Sequence, residues 1–368
     1  MTIRYSARAR LSSPPGRTRR AQAPVRPAGR IGAWQCGGRT VKNRRVSASP
    51  WPAISATTRL CAVYGHPVRH SASPAMQNAG IAALGLDWRY VAFDVRPEEL
   101  AAALAGARAM RFVGLNLTVP HKLLAHNLVD ALDPSGRDWG AVNTIRFEAQ
   151  VGPGHWQPLA RLDEIPDDAP VRSHGFNTDA DAITRSLAED LGIVARGARV
   201  VLLGAGGAGR TAALKIASEG VAELYLVNRT AAKAEVVRRE INERYPGVRV
   251  AVGHPASGGV DLLLNATSLG LRPGDALPLD ETELPLSRVA AVYDMIYRPA
   301  ETPLLAKARA AGCRTANGLG MLLHQGARAL ELWSGRPAPL ETMRRALRDH
   351  VYGPSPRTAS GPASGDTR

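Results

Sequence analysis

The fold of the second half of the chain is decided by the stretch Arg199-Val-Val-Leu-Leu-Gly204-Ala-Gly206-Gly-Ala-Gly209-Arg. An apolar run enters a Gly-x-Gly-x-x-Gly turn, and a segment typical of a helix follows at residues 211–218. Gly204 permits the tight turn, Gly206 lets the backbone approach a pyrophosphate, and Gly209 lets the helix pack closely on the strand. The free N–H groups at the start of such a helix bind an anion. The pattern predicts a dinucleotide site.

The end of the next apolar run indicates which dinucleotide is bound. Residues 223–227 predict a second strand about 20 residues after the turn. A carboxylate at its end would accept a hydrogen bond from the ribose 2′-hydroxyl of NAD, but here Asn228, Arg229 and Thr230 follow. Their donors and positive charge suit a 2′-phosphate, so we predict NADP as the cofactor. The alternative is an ordinary strand-to-helix turn with Arg229 as a solvated surface charge.

The net charge of +15 is concentrated at the amino terminus. Thirteen Lys and Arg residues occur between Arg4 and Arg59, and the first acidic residue is Asp87. The other 34 basic residues nearly balance all 32 acidic ones, so the body of the protein is close to neutral. Residues 1–58 lack the apolar content that offsets conformational entropy, and we predict that they are disordered. They resemble a transit peptide, but an extension from a misassigned start and a nucleic-acid-binding arm remain alternatives.

Other global features favour a globular protein of the cytoplasm. No run of 18 apolar residues predicts a membrane span, so we expect no membrane association. The three cysteines are far apart and lack Cys-x-x-Cys spacing, which supports neither a disulfide framework nor a metal site. Without the basic extension and the Gly/Pro/Ser-rich residues 353–368, which we also predict to be disordered, about 290 residues remain, typical of two domains.

The order of predicted elements gives an α/β protein with two domains. In the first domain, alternating elements predict a parallel α/β sheet: strands at 60–64, 88–94 and 114–118, and helices at 74–84 and 97–109. Predicted strands of the second, Rossmann-type domain lie at 199–203, 223–227, 249–252, 262–265 and 289–294. A final helix at 318–333 is expected to return to the first domain. We therefore assign residues 59–178 plus 318–352 to a substrate-binding domain and 179–317 to an NADP-binding domain.

Lys122 is the best-placed candidate for moving a proton. A nicotinamide enzyme that oxidises an alcohol must accept the hydroxyl proton, and Lys122 follows a strand that ends at Thr118. Ligands bind at the carboxyl ends of strands in open α/β sheets. A lysine with a pKa near ~10.4 requires burial or a nearby positive charge to act as a base at neutral pH. The alternative is a surface lysine on a helix.

Several other polar residues lie near predicted strand ends. Asp179 lies at the domain junction, where we expect it to orient the lysine; the alternative role is a helix N-cap, and the two roles are compatible. Ser71 and Ser73 precede a Pro-initiated helix, where they bind a carboxylate or hydroxyls or act as helix caps. Three histidines have a spacing that fits neither a zinc site nor a catalytic triad, and we treat them as secondary contacts: His66, His70 and His121.

Nine ordered motifs between residues 60 and 333 resemble those of shikimate dehydrogenases. They are Ser71-x-Ser73-Pro74, Asn116-x-Thr118-x-Pro120-x-Lys122, Ala141-Val-Asn143-Thr144, Asn177-Thr178-Asp179, Gly204-Ala-Gly-Gly-Ala, Asn228-Arg229-Thr230, Asn265-Ala-Thr267-Ser268, Tyr293-Asp-Met295-x-Tyr297 and Gly318-Leu-Gly320-Met-Leu. The resemblance implies reversible reduction of 3-dehydroshikimate to shikimate with NADP, a reaction of chorismate and aromatic amino acid biosynthesis.

The same resemblance implies a role for each matching residue. Lys122 and Asp179 would form the catalytic pair. The substrate would be bound by Ser71, Ser73, Thr118, Asn143, Tyr297 and Gln325. The cofactor would be bound by Gly204, Ala205, Gly206, Gly207, Ala208, Gly209, Asn228, Arg229, Thr230, Lys233, Thr267, Met295 and Gly318.

The chain departs from the family pattern at three places. Gln77 stands where the family usually has His, and Ala180 replaces the glycine that usually follows Asn-Thr-Asp. The added Cβ would shift the backbone if that position required a positive φ. The connection between Asn143 and Asn177 is longer than usual, and we expect the inserted residues 151–169 to cap or narrow the mouth of the substrate site.

Two alternatives to a shikimate dehydrogenase remain open from the sequence. One is a quinate/shikimate dehydrogenase of relaxed specificity, because two small serines do not by themselves exclude the extra hydroxyl of quinate. The other is a non-catalytic sensor of shikimate and NADP that contacts nucleic acid through the basic arm. We expect a small-molecule substrate, no nucleic-acid partner, and a monomer or homodimer.

Overall fold

The computed structural model describes residues 53–354, and the predictions for residues 1–52 and 355–368 lie outside this range. Within it, the chain forms two sheets with helices packed on their faces. The first half contains β1 (Arg59–Gly65), α1 (Ser73–Ala83), β2 (Trp88–Asp94), α2 (Leu100–Ala109), β3 (Gly114–Leu117), α3 (His121–His126), β4 (Ala131–Leu132), α4 (Pro134–Trp139), β5 (Thr144–Gly152), β6 (His155–Pro158), β7 (Val171–Phe176) and α5 (Asp179–Leu191).

The second half contains the other sheet and two final helices. Its elements are β8 (Arg199–Leu203), α6 (Gly207–Ser218), β9 (Glu223–Val227), α7 (Ala231–Arg244), β10 (Arg249–Val252), β11 (Leu262–Asn265), β12 (Ala291–Asp294), α8 (Pro303–Ala310), β13 (Arg314–Asn317), α9 (Leu319–Ser334) and α10 (Leu340–Tyr352). Short 3₁₀ turns occur at Pro97–Glu99, Leu159–Arg161 and Leu286–Arg288. No helix of residues 53–354 is both long and apolar enough to cross a membrane.

The sheet of the second half has the strand order of a dinucleotide-binding fold. Its order is β10-β9-β8-β11-β12-β13, and every pair is parallel. The strand order reverses between β8 and β11, which creates a crevice at their carboxyl ends. Both strands are buried along nearly their full length. Strands covered on both faces consist mainly of consecutive apolar residues, as these two do. The prediction of a Rossmann-type sheet is confirmed.

The first sheet is mixed, although the sequence indicated a parallel one. Its order is β2-β1-β3-β5-β7-β4, with β6 paired to β5. Strands β1, β2 and β3 are parallel, whereas β5 runs antiparallel to both β3 and β7. The antiparallel strands belong to the long connection between Asn143 and Asn177, where no helix intervenes to reverse the chain direction.

The carboxyl-terminal helices return to the first sheet, as predicted for α9. Trp333, Met343 and Leu347 are fully buried in one apolar cluster with Met76 of α1 and Tyr90 of β2. The indole Nε1 of Trp333 donates a hydrogen bond to the carbonyl oxygen of Ile145 at 2.9 Å. The chain therefore crosses between the two sheets twice, after β7 and after β13, and leaves a cleft between them.

Gly114 is the point where Trp333 packs directly on β3. A Cβ on Gly114 would lie 2.1 Å from Trp333 Nε1 and 2.6 Å from the Ile145 oxygen, and neither distance is tolerable. We expect Gly114→Val to lower the free energy of unfolding by about 3 kcal/mol, because a packed core resists overpacking. Thermal and denaturant unfolding measure this loss. Gly247→Val is the control, since no atom lies within 4 Å of its Cβ position, and an equal loss in both variants would contradict the prediction.

A buried ion cluster on β5 and β7 makes stability depend on pH. Glu148 accepts hydrogen bonds from Arg146, from Arg172 at 2.8 Å and from His174 at 3.1 Å. Burial alone would raise the pKa of this carboxyl, but the hydrogen bonds from His174, Arg146 and Arg172 outweigh burial and lower the pKa from 4.5 to about 2. A depressed folded-state pKa stabilises the protein above about pH 4.5, and this stabilisation is lost as the pH falls towards 2.

The difference of pKa corresponds to about 3 kcal/mol at neutral pH. We expect Glu148→Gln to unfold more easily at pH 7 and to show a flatter decline of stability between pH 4.5 and pH 2 than the unchanged protein. Denaturant unfolding across this range measures both curves. Parallel curves would show that Glu148 contributes nothing to acid unfolding.

Candidate functional site

The candidate site lies where several strands of both sheets end in the cleft. Three neighbouring cavities share lining residues there. The first, which we call the polar cavity, has a volume of about 320 Å³. It is lined by Val63, Pro67, Val68, His70, Ser71, Ser73, Asn116, Leu117, Thr118, Lys122, Asp179, Met295, Tyr297, Gly318, Met321, Leu322 and Gln325.

Lys122 and Asp179 form an ion pair in the wall of the polar cavity. The Nζ atom of Lys122 donates to Oδ2 of Asp179 at 2.7 Å. The Lys122 side chain is 33% exposed and the Asp179 side chain 11% exposed, so the pair faces the cavity rather than bulk solvent. A charge-assisted hydrogen bond of this length fixes the ammonium group in place. The cleft has two lobes, one built on each sheet. Lys122 lies on α3, which packs on the first sheet, and Asp179 begins α5, which packs on the second sheet.

The start of α5 is held by two asparagines. The side-chain oxygen of Asn177 accepts from the backbone N–H of Asp179 at 3.0 Å and of Ala180 at 3.2 Å. Asn143 accepts from the backbone N–H of Thr178 at 2.8 Å and donates to its hydroxyl at 3.0 Å. The alternative role of Asp179 as the helix cap is therefore wrong, because Thr178 is the N-cap residue and Asn177 accepts from the first N–H groups. The Asp179 carboxylate is free to hold Lys122.

The two serines line the cavity and do not cap α1. The N-cap residue is Ala72, and no side chain makes a cap hydrogen bond. Ser71 Oγ accepts only a long bond of 3.4 Å from the backbone N–H of Ser73. The Ser71 hydroxyl consequently remains available to donate into the cavity, and the Ser73 hydroxyl lines the cavity beside the Tyr90 phenol group.

The opposite wall of the polar cavity is contributed by the second half of the chain. Tyr297 follows β12, and burial raises the pKa of its hydroxyl, which keeps that group a hydrogen-bond donor. Gln325 of α9 lines the same cavity and donates one amide hydrogen bond to the Leu322 carbonyl at 2.8 Å. Thr118 lines the facing wall of the polar cavity. Its backbone N–H donates a hydrogen bond to the carbonyl oxygen of Tyr64 at 2.9 Å. These groups surround a space with many donors.

Asn143 and two of the histidines lie away from the cavity surface. Asn143 is 1% exposed and not among the lining residues, and its role as a substrate ligand stays a prediction. His66 pairs with Asp94 at 2.6 Å outside the cavity. His121 is fully buried with Nε2 2.8 Å from the Val95 carbonyl oxygen. Of the three histidines, only His70 lines the polar cavity.

The glycine-rich turn has the geometry that the sequence indicated. Gly204 has a φ of +102°, and a Cβ there would lie 3.1 Å from the backbone of Ala266 at the end of β11. A Cβ on Gly209 would lie 2.0 Å from the Gly204 carbonyl oxygen, so α6 approaches β8 closely. No atom lies within 4 Å of the Cβ positions of Gly206 and Gly207, which leaves open space above the helix start. That open space is where a pyrophosphate would approach the N–H groups.

The residues after β9 lie beside this turn. Asn228 accepts a hydrogen bond from the backbone N–H of Ala205 at 2.9 Å and donates to the Thr230 carbonyl at 2.8 Å. Arg229, Thr230 and Lys233 are exposed. Two cations and a hydroxyl are thus presented next to the glycine-rich turn, as a 2′-phosphate requires.

A second cavity of about 960 Å³ joins the turn to the polar cavity. Ala208, Thr267, Met295 and His70 line it, and Met295 and His70 line the polar cavity as well. Gly318 fits closely beside Met295, because a Cβ there would lie 2.1 Å from the Met295 carbonyl oxygen. A third cavity of about 260 Å³ lies beneath Lys122 and Asp179 and reaches Gly207, Ala208 and Thr211.

Asn116 and Met321 are among the lining residues to which the sequence analysis assigned no role. Asn116 is 5% exposed and accepts a hydrogen bond from the Tyr90 hydroxyl at 2.8 Å. It stood in a quoted motif, and that was its only signal. Met321 lines both the polar cavity and the cavity beneath Lys122, and it likewise stood in a quoted motif without an assigned role.

The three departures from the family pattern leave the site intact. Ala180 is buried in the first turn of α5 and does not have a positive φ, so its Cβ causes no backbone shift. Gln77 is buried and donates to the Gly326 carbonyl at 2.8 Å. The inserted residues lie near the start of β1, where Arg59 donates to the Leu159 carbonyl. The expectation that they cap or narrow the cavity mouth is wrong, because the cavity lies at the opposite ends of the strands and none of these residues lines it.

Family profiles match three parts of the chain. A shikimate dehydrogenase substrate-binding domain matches residues 63–145, a shikimate/quinate 5-dehydrogenase domain matches 186–268, and a shikimate 5′-dehydrogenase carboxyl-terminal domain matches 318–348. Together these matches include parts of both sheets and α9.

Individual relatives match over most of the chain. A shikimate dehydrogenase (NADP(+)) of Geobacter metallireducens is 41% identical over 80% of this chain and 97% of that protein. One of Methanopyrus kandleri is 38% identical over 81% of this chain and 98% of that protein. The crystal structure of a Thermus thermophilus shikimate 5-dehydrogenase with NADP(H) and shikimate is similar with a TM-score of 0.65. It is 36% identical and covers 79% of this chain and 98% of its own. The chain therefore belongs to the shikimate dehydrogenase family.

Proposed function

We propose that the protein catalyses the reversible, NADP-dependent reduction of 3-dehydroshikimate to shikimate. The observation that carries this proposal is the Lys122–Asp179 pair, with its 2.7 Å hydrogen bond, in a cavity that has hydroxyl and amide groups on one side and Met295 and Gly318 on the other. The names of the relatives support the same reaction.

The residues around the glycine-rich turn fit NADP. Space above Gly206 and Gly207 accommodates the pyrophosphate, and exposed Arg229 and Lys233 supply charge for the 2′-phosphate. When bound, NADPH would supply the hydride for reduction, and NADP+ would accept it in oxidation. Thr267, Met295 and Gly318 lie at the far end of the same cleft, where the nicotinamide would meet the polar cavity.

Lys122 carries the proton in this proposal. A lysine ammonium has a proton to give at neutral pH, and in the reductive direction Nζ donates it to the carbonyl oxygen as that oxygen gains electrons. In the oxidative direction the neutral amine accepts the hydroxyl proton. Asp179 keeps Nζ aimed into the cavity in both directions. Solvent at the cavity mouth restores the protonation state after each turnover.

The hydroxyl groups of the polar cavity would bind and orient the substrate. Ser71 and Ser73 are placed to donate to its carboxylate, because α1 does not use them as caps. Thr118, Tyr297 and Gln325 are placed to bind its ring hydroxyls. In this arrangement residues 59–178 plus 318–352 form the substrate-binding domain, and residues 179–317 form the NADP-binding domain.

Initial rates with four substrate pairs test the proposal. Shikimate or quinate is offered with NADP or NAD, and reduced cofactor is followed by absorbance. We expect shikimate with NADP to give the highest kcat/KM. A higher value with quinate would move the protein to quinate oxidation. Tight binding of shikimate and NADP without turnover of any pair would identify a sensor instead of an enzyme.

A further inference from the structure

Trp139 connects the two lobes of the cleft behind the catalytic pair. It ends α4 in the first half of the chain, yet the residue is only 9% exposed and belongs to the apolar cluster of the second sheet with Ala180 and Ile183 of α5. Gly140 follows with a φ of +60°, which turns the chain sharply away from the helix. The contact of Trp139 with the apolar cluster of the second sheet thus fixes the position of the segment that follows, residues 140–143.

Arg210 holds the backbone of Trp139. Its Nη1 donates to the Trp139 carbonyl oxygen at 2.7 Å, while Nε and Nη2 donate to the two carboxylate oxygens of Glu240 at 2.9 and 2.5 Å. Arg244 also pairs with Glu240, at 3.3 Å, and lies 5.8 Å from the centre of the Trp139 indole ring. A two-pronged guanidinium–carboxylate contact has a fixed orientation, so the remaining N–H is aimed at one acceptor.

Arg210 is also part of the glycine-rich turn. Its backbone N–H donates to the Gly206 carbonyl at 2.7 Å, within the first turn of α6. Its side chain is 28% exposed and points to Trp139 and Glu240, away from the open space above Gly206 and Gly207. Arg210 therefore connects the proposed phosphate site to Trp139 and Glu240.

The segment after Trp139 holds both members of the catalytic pair. The backbone N–H of Val142 donates to the carbonyl oxygen of Lys122 at 2.9 Å. The carbonyl oxygen of Ala141 accepts from the Asn177 side chain at 3.1 Å, and that same side chain holds the N–H of Asp179. A shift of this segment would move the lysine and the aspartate together.

We propose that Arg210 is a positioning residue that couples dinucleotide binding to the geometry of Lys122 and Asp179. The contacts run from the glycine-rich turn through Arg210 to Trp139, and from there through Ala141 and Val142 to the pair. Dinucleotide binding at the start of α6 orders this connection. The inference rests on the proposed function in taking the pair as the catalytic one and the glycine-rich turn as the dinucleotide site.

Amide hydrogen exchange of residues 134–143 tests the coupling without turnover. NADPH alone is expected to slow their exchange about 5-fold or more in the unchanged protein. Arg210→Met is expected to abolish this protection, and Arg210→Lys to retain part of it, because one ammonium cannot bind Glu240 and Trp139 together in the same geometry. Arg238→Met is the control, since Arg238 pairs with Glu235 on α7 at 2.8 Å and contacts neither Trp139 nor Glu240.

Kinetics provide the second measurement. We expect Arg210→Met to lower kcat by about 10- to 100-fold through misplacement of the pair, and Arg238→Met to leave it unchanged. If Arg210→Met does not fold, Glu240→Gln replaces it and is expected to weaken the protection.

The outcomes separate this inference from the proposed function. Protection that persists in the Arg210 variants, or that is absent in an unchanged protein that binds NADPH, overturns the coupling. Failure of the unchanged protein to bind NADPH overturns the proposed function.

Discussion

Lys122→Ala is expected to lower kcat for shikimate oxidation by about 10²- to 10⁴-fold, the usual contribution of a positioned acid or base. Lys122 is the lysine that lines the polar cavity, and it is held by Asp179 at 2.7 Å. The variant loses the group that moves the proton but keeps the serines and the glycine-rich turn. The KM values for shikimate and NADP are therefore expected to change much less than kcat.

Lys307→Ala is the matched control. Lys307 pairs with Glu281 on the surface and is 52% exposed, so its removal is expected to leave kcat unchanged. Circular dichroism and thermal unfolding verify that both variants fold. A Lys122→Ala enzyme with near-normal kcat would show that another group or water carries the proton.

Arg229→Asp is expected to reduce kcat/KM with NADP by about 100-fold, because a carboxylate placed against the 2′-phosphate costs several kcal/mol. With NAD the same carboxylate can accept a hydrogen bond from the 2′-hydroxyl, so kcat/KM with NAD is expected to stay equal or rise. The measurement is the ratio of the two kcat/KM values.

Arg239→Asp controls for the change of net charge. Arg239 is exposed on α7, the helix that also carries Lys233. It lies six residues beyond Lys233, which corresponds to about 9 Å along the helix axis. It is expected to leave the cofactor ratio near that of the unchanged protein. If Arg229→Asp also leaves the ratio unchanged, the 2′-phosphate contacts lie elsewhere.

The strands that the sequence predicted best are those with the simplest physical cause. The boundaries of β8, β9, β10 and β11 agree with the predicted ranges, and β12 is two residues shorter than predicted. Three of these strands are short apolar runs bounded by Gly or polar residues, and such runs form strands in a sheet covered on both faces. The glycine-rich turn added the connection to α6.

Long-range pairing and isolated helices were harder to predict. The antiparallel direction of β5 depends on a partner, β3, about 30 residues away, and neither strand carries that information alone. The helix α10 was missed although Met343 and Leu347 have helical spacing and both are fully buried. Three of the four residues of β13 are polar and the strand lies at the sheet edge, so no apolar run marked it.

In the candidate site, the motifs identified the residues, whereas the hydrogen bonds that support them became visible only in the structure. Lys122 and Asp179 are 57 positions apart, and their contact follows from two strand ends meeting in one cleft. The support that Asn177 and Asn143 give to the start of α5 depends on backbone positions that no motif encodes. The same is true of Arg210, whose partner Trp139 belongs to the other lobe.

Transfer of deuterium from shikimate to NADP tests the central claim most directly. Shikimate deuterated at carbon 3, the carbon that becomes the ketone, is incubated with the full-length protein and NADP, and the NADPH formed is analysed by mass spectrometry. We predict NADPH that carries one deuterium, formed at a rate that Lys122→Ala lowers by about 10²-fold or more. No NADPH, or NADPH without deuterium, would contradict direct hydride exchange between shikimate and NADP in this cleft.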